Sequence, residues 1–162
     1  MKRIIAAVVL AGALAVPAGA DAAVKTYGGK INKGGRIGID VNLAGGVPMQ
    51  IMEMRFKKFP ANCSVSGPSV LKGAVAFTDF FVNPNNYRFA FDGDVDGMGS
   101  HLLFNGKFND SAKKVNGEVD VKAVFGPDPG PAQTCNTKTR NYSAERGAKA
   151  PKAKIAPAFR IG

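Results

Sequence analysis

The clearest pattern in the chain is an alternation of apolar and polar residues between Val115 and Phe125. Its odd positions hold three valines, a glycine, an alanine and Phe125, and the positions between them are mostly polar. Side chains of a β-strand point alternately to opposite faces, whereas a helix would spread these apolar residues around its circumference. The pattern therefore predicts a central strand with one face in the core and one face in solvent.

Shorter stretches repeat this period along the rest of the chain. Residues 36–43 alternate cleanly, and residues 49–59 place Met52, Met54 and Phe56 on one face. We also predict loops over residues 64–72 and 92–100 and a single last strand over residues 134–145. Seven to nine short strands separated by Gly, Pro and Asn turns are typical of all-β folds. We expect an antiparallel β-sandwich, jelly-roll or immunoglobulin-like, with one disulfide.

The first 22 residues have the pattern of a secretory signal peptide. Lys2 and Arg3 precede an apolar run, and small residues follow around Ala20 and Ala22. The run is too short for a membrane span. We predict a leader over residues 1–22, a β-sandwich domain over residues 23–145 and a basic disordered tail over residues 146–162. The protein is then expected to be secreted or extracytoplasmic, with no transmembrane segment after cleavage of the leader.

The chain has two cysteines, Cys63 and Cys135. Export to an oxidising compartment permits a disulfide, and two cysteines allow a single intramolecular pairing. The alternative is two separate thiols. Their spacing is far from the CxxC pattern of a zinc or redox site. We predict the bridge Cys63–Cys135.

Several short motifs recur in an order that is informative together: Tyr27-Gly28-Gly29-Lys30, Cys63 with the Ser/Gly loop after it, Phe104-Asn105-Gly106-Lys107-Phe108, Gly117, Cys135 and Tyr142-Ser143-Ala144. Together they resemble those of small secreted bacterial proteins, common in actinobacteria, that carry one β-sandwich domain of unknown function. The chain departs from that pattern in its last strand, where Arg140 and Tyr142 replace an apolar residue and a Trp. The resemblance implies export and the sandwich fold, and it transfers no catalytic residue.

Asp92, Asp94 and Asp96 are the sharpest local motif. Carboxylates at alternate positions followed by Gly97 match the first half of a calcium loop. Leu103 stands where the bidentate Glu of an EF-hand belongs, so an EF-hand is excluded. A calcium-binding hairpin loop, and with it a calcium-dependent carbohydrate-binding module, remains the alternative to a polar turn. We expect no other cofactor.

Two patterns raise the question of catalysis. Glu118 and Asp120 lie on the polar face of the central strand, but Lys122 stands where glycosidases of the laminarinase type carry the second acid. His101 is the only histidine, and no activated nucleophile accompanies it. We therefore expect a protein that is not an enzyme.

The charge of the chain is the remaining cue to function. The net charge is +10, and such a surface attracts polyanions with an affinity that falls with salt. The alternative is a surface that serves only solubility. We expect a monomeric binding or structural domain with weak affinity for an anionic envelope polymer or glycan and no specific nucleic-acid recognition. The predicted anion-binding residues of the tail are Lys149, Lys152, Lys154 and Arg160.

Overall fold

The computed structural model describes residues 22–95, 99–127, 132–152 and 159–161. These residues form ten antiparallel strands, which confirms the all-β prediction. Among these residues there is no helix that is long and apolar enough to span a membrane. Residues 1–21 of the predicted leader lie outside the described residues, and its last residue, Ala22, begins the first strand. The strands are β1 (Ala22–Ile31), β2 (Arg36–Ala44), β3 (Val47–Cys63), β4 (Gly67–Ala76), β5 (Arg88–Asp94), β6 (His101–Phe108), β7 (Lys114–Phe125), β8 (Gln133–Asn136), β9 (Arg140–Arg146) and β10 (Phe159–Ile161).

Two meanders joined by one strand make up the sheet. β1 to β4 follow one another as neighbours, and so do β5 to β7. β9 lies between β1 and β7, so the order across the sheet is β10-β4-β3-β2-β1-β9-β7-β6-β5. The short strand β8 pairs with β3 on one edge and with β7 on the other, so the sheet folds over on itself.

The central strand predicted from the alternation is β7, and it pairs with β6, β8 and β9. Val115, Val119 and Val121 are fully buried, as the pattern predicted. They face an aromatic core in which Phe104 contacts the rings of Phe77, Phe80, Phe89 and Tyr142. These rings come from β5, β6, β9 and the segment after β4, so the core joins both meanders.

The predicted disulfide is present between Cys63 and Cys135. Cys63 is the last residue of β3 and lies opposite Cys135 of β8, with the Cα atoms 3.9 Å apart. Cys135 also lies opposite Ala123 of β7. The bridge therefore links the first meander to the second through the short strand β8.

Three boundaries differ from those predicted. β3 continues through Pro60 to Cys63, and β4 begins at Gly67 inside the predicted loop over residues 64–72. The strand predicted over residues 134–145 is divided into β8 and β9 at Lys138, whose φ is 59°. Ser, Gly and Pro in 64–72 favour a loop locally. Pairing with the long strand β3 overrides that preference.

Part of the predicted tail packs against the sheet. Residues 146–152 continue from β9 along the outer face of β1 and β2, and Pro151 is buried. β10 pairs with β4 in an antiparallel ladder. The sheet positions that these residues contact are distant in sequence, so composition does not predict the contacts. We refer to residues 147–152 as the C-terminal arm.

Removal of the crosslink should destabilise the fold strongly. Because the bridge spans 72 residues of sequence, the double variant Cys63→Ala/Cys135→Ala is expected to lose about 4 kcal/mol of unfolding free energy. Thermal denaturation should show a melting temperature lower by roughly 10–20 °C. Wild-type protein in excess reductant separates the crosslink from lost side-chain packing and should melt near the double variant. An unchanged melting temperature in the reduced protein would contradict the role given to the bridge.

Tyr142 should control the alkaline limit of stability. Its buried hydroxyl donates a hydrogen bond to the carbonyl oxygen of Asn105 at 3.0 Å, and burial raises its pKa well above 10.0. The folded protein keeps this proton after the unfolded chain has lost it, so wild-type stability falls as the pH rises above about 10. Tyr142→Phe should lose about 1 kcal/mol at neutral pH and decline less steeply in alkali. Denaturant unfolding of both proteins at neutral and at alkaline pH measures these changes. An equal loss of unfolding free energy with rising pH in the wild type and the variant would contradict the prediction.

Candidate anion-binding site

A pair of glycines in the sheet makes room for the C-terminal arm. Gly28 of β1 lies directly opposite Gly38 of β2. A Cβ atom on Gly28 would overlap the carbonyl oxygen of Ala148, and one on Gly38 would lie 2.8 Å from the Cβ atom of Ala150. Both contacts would be shorter than real side chains allow. The arm can therefore lie this close to β1 and β2 only because two glycines face each other.

Hydrogen bonds hold the arm along this glycine pair. The backbone N–H of Gly147 donates to the carbonyl oxygen of Thr26 at 2.9 Å. The Arg36 guanidinium donates through Nη2 to the carbonyl oxygen of Lys149 at 2.7 Å. The arm is therefore fixed on the outer face of β1 and β2, and its lysines lie beside cations of the sheet.

The arm and two strands enclose a basic cleft of about 530 Å³. Arg36 of β2 and Lys57 of β3 are cross-strand partners, and Lys58 follows Lys57 at an irregularity in the pairing of β3 with β4, with a φ of 56°. Five cationic residues line this cleft, and no acidic residue does. The basic cleft is lined by Arg36, Lys57, Lys58, Lys149, Ala150, Pro151 and Lys152.

Two acidic side chains on the same strands, Asp40 and Glu53, are paired with another arginine. Arg55 lies 2.7 Å from Asp40 and 3.6 Å from Glu53, and all three side chains are largely shielded from solvent. Burial raises the pKa of Glu53, and Arg55 opposes that rise. Among the described residues, none of the five cleft cations has a carboxylate within 4.0 Å. Their charge is therefore available to a ligand.

The predicted tail residues fall into two groups. Lys149 and Lys152 lie in the basic cleft, while Lys154 lies outside the described residues. Arg160 is in β10, opposite Lys72 of β4. The sequence analysis did not assign the sheet residues of the cleft, Arg36, Lys57 and Lys58, to the anion-binding site. The adjacent lysines at the end of a strand pattern were the available signal, but nothing local pointed to the arm.

A second cleft of about 570 Å³ lies over β5, β6 and β7. Arg88 lies opposite Lys107, and Lys107 lies opposite Asn116. Four asparagines, two cations and no acid line this asparagine cleft, so its polar groups suit hydroxyl and anionic groups. Sequence reasoning noted the Asn83–Asn86 turn without connecting it to β6 and β7. The lining residues are Asn83, Asn86, Arg88, Phe89, Ala90, Asn105, Gly106, Lys107, Asn116 and Gly117.

The structure describes two of the three predicted calcium ligands. Asp92 and Asp94 lie on β5, not in a loop, and Asp96 lies outside the described residues. Asp92 Oδ1 is 3.0 Å from Nε2 of His101. No group of three or more potential metal ligands occurs among residues 22–95, 99–127 and 132–152. Calcium binding by this motif therefore stays a prediction.

The carboxylates considered for catalysis are hydrogen-bonded to neutral side chains. Glu118 accepts from the side-chain amide of Asn105 at 3.3 Å. Asp120 accepts from the hydroxyl groups of Thr137 and Thr139. These bonds suit a polar outer face of the sheet.

No family model, no curated protein and no solved structure matches this chain. The chemistry of the two clefts is therefore the basis for a functional assignment.

The glycine pair can be tested through the order of the arm. Gly28→Ala would place a methyl group against the backbone of Ala148 and should displace the arm from the sheet. We expect trypsin to cleave after Lys149 several times faster than in the wild type, as mass spectrometry of a time course would show.

Gly126→Ala is the matched control, because a Cβ atom there meets nothing within 4 Å. Its cleavage rate should equal that of the wild type. Equal rates in the Gly28→Ala variant would show that the glycine pair does not hold the arm.

Proposed function

We propose that this protein is an extracytoplasmic, non-catalytic binding domain that holds an anionic polymer at the basic cleft. The observation that carries the proposal is the convergence of Arg36, Lys57, Lys58, Lys149 and Lys152 without a carboxylate partner among the described residues. Like charges gathered in this way repel one another, and a bound polyanion relieves that repulsion. The same charges would steer anionic ligands toward the cleft from solution.

The disulfide and the leader-like first residues support an exported protein. A crosslink of this kind persists in oxidising compartments, and Cys63–Cys135 is formed. Hydrogen bonding of Glu118 and Asp120 to neutral partners favours a binding domain over a glycosidase.

Heparin is a suitable soluble probe, because it is a linear polyanion. The double variant Lys57→Gln/Lys149→Gln removes two cleft charges, and we expect its affinity for heparin to fall about tenfold at moderate salt. The slope of log affinity against log salt should fall by about one for each cation removed. Fluorescence titration of the full mature protein over a range of salt concentrations measures both quantities.

Lys25→Gln/Lys138→Gln is the matched control, since both lysines are exposed and neither lines the basic cleft. It removes the same net charge and should change the affinity much less. Equal losses in the two variants would mean that net charge, not the cleft, binds the polymer. Affinity that is independent of salt would overturn the electrostatic proposal altogether.

A further inference from the structure

A single row of cross-strand partners connects the two clefts. Lys57 lies opposite Arg36, Arg36 opposite Lys30, and Lys30 opposite Ser143. Ser143 lies opposite Asn116, Asn116 opposite Lys107, and Lys107 opposite Arg88. Residues directly opposite each other in adjacent strands point to the same face of a sheet. The row therefore crosses seven strands on one face, and its ends lie in the basic cleft and the asparagine cleft.

The row holds five cations and two neutral polar residues. Lys57, Arg36, Lys30, Lys107 and Arg88 are exposed, and so is Asn116, whereas Ser143 is half-buried. Among the described residues, none of the five cations has a carboxylate within 4.0 Å. The row therefore offers positive charge at both ends and hydrogen-bonding groups in the middle.

Carboxylates border the neutral middle of the row on both sides. Glu118 lies two residues from Asn116 along β7, and Glu145 lies two residues from Ser143 along β9. Because β7 and β9 are antiparallel, these two acids lie on opposite sides of the row. Glu145 lies 3.9 Å from Lys114, which offsets its charge. Glu118 is therefore the carboxylate that disfavours a path away from the row.

We propose that the ligand of this protein is a linear acidic polysaccharide that runs across the strands from the basic cleft to the asparagine cleft. This inference rests on the proposed function and adds the chemical class and path of the ligand. Six steps between adjacent strands span about 29 Å along the sheet. Charged groups of the polymer bind the lysines and arginines, and its hydroxyl groups bind Ser143 and Asn116.

A nucleic acid suits the row less well than a polysaccharide. Proteins that bind single strands combine cationic grooves with aromatic side chains on which bases stack. The row contains no aromatic residue, and the large hydrophobic residues that are exposed in the described part of the chain are Val24, Met49, Val65 and Phe81. Amide and hydroxyl groups between cations are better matched to a charged sugar chain.

The test compares oligosaccharide length with one isosteric substitution. The full mature protein is titrated with size-fractionated heparin oligosaccharides. The shortest fit within one cleft, and the longest exceed the distance of about 30 Å between the two ends of the row. Wild-type affinity should rise with length until a chain reaches both clefts. Asn116→Asp places a negative charge in the middle of the row. It should lower the affinity for long oligosaccharides about tenfold and the affinity for short ones much less.

Asn141→Asp is the matched control, because Asn141 is exposed on the same face of β9 but lies opposite Glu118, outside the row. It should leave the length dependence unchanged, and thermal denaturation checks that both variants fold. Equal effects of the two substitutions, or no rise with length while short chains still bind, would overturn the path and leave the proposed function intact. Failure of every oligosaccharide to bind would overturn both. Single-stranded DNA of equal length that binds as tightly, with the same sensitivity to Asn116→Asp, would overturn the polysaccharide as ligand.

Discussion

The pairing of β9 with both β1 and β7 is the interaction on which the rest of the structure depends. β9 is the only connection between the two meanders along the main path of the described sheet, and it brings residues 140–146 beside residues 27–31 and 114–119. The ladders satisfy backbone groups that would otherwise be buried without partners. They also set the register that aligns Lys30, Ser143 and Asn116. Function as proposed here therefore follows from strand register as much as from the charges themselves.

Close packing on the outer face has a second consequence for the site. The Gly28–Gly38 pair lets the chain beyond β9 return over the sheet, and Arg36 then donates to the carbonyl oxygen of Lys149. One guanidinium thus holds the arm and contributes charge to the basic cleft. Asp40 and Glu53 are directed to Arg55 beneath the arm. Asp40 lies four residues from Arg36 on β2, and Glu53 lies four residues from Lys57 on β3. Among the described residues, none of the cleft cations nevertheless has a carboxylate within 4.0 Å.

Local sequence predicted the strands better where one face packs in the core than where a strand forms mainly because a distant strand pairs with it. The alternation in β2 and β7 was enough to predict these strands, because a strand with one buried face and one solvent-exposed face has a period of two in its sequence. Residues 67–72 were predicted as a loop but belong to β4, and the contacts of residues 147–152 with the sheet were not predicted. Their Ser, Gly, Pro and Lys content favours loops, but β3 and the glycine pair supply partners that composition does not reveal.

By itself, the sequence determined the all-β class, the central strand, the Cys63–Cys135 pairing and the excess of positive charge. Each of these depends on residue type, on local period or on there being two cysteines. Only the tertiary structure decided where the charge is concentrated. Lys149 reaches Arg36 across 113 residues of sequence, and Arg88 and Lys57 belong to one row through five intervening strands. Cross-strand neighbours are set by hydrogen-bond register between distant segments, and that register leaves no periodic signal along the chain.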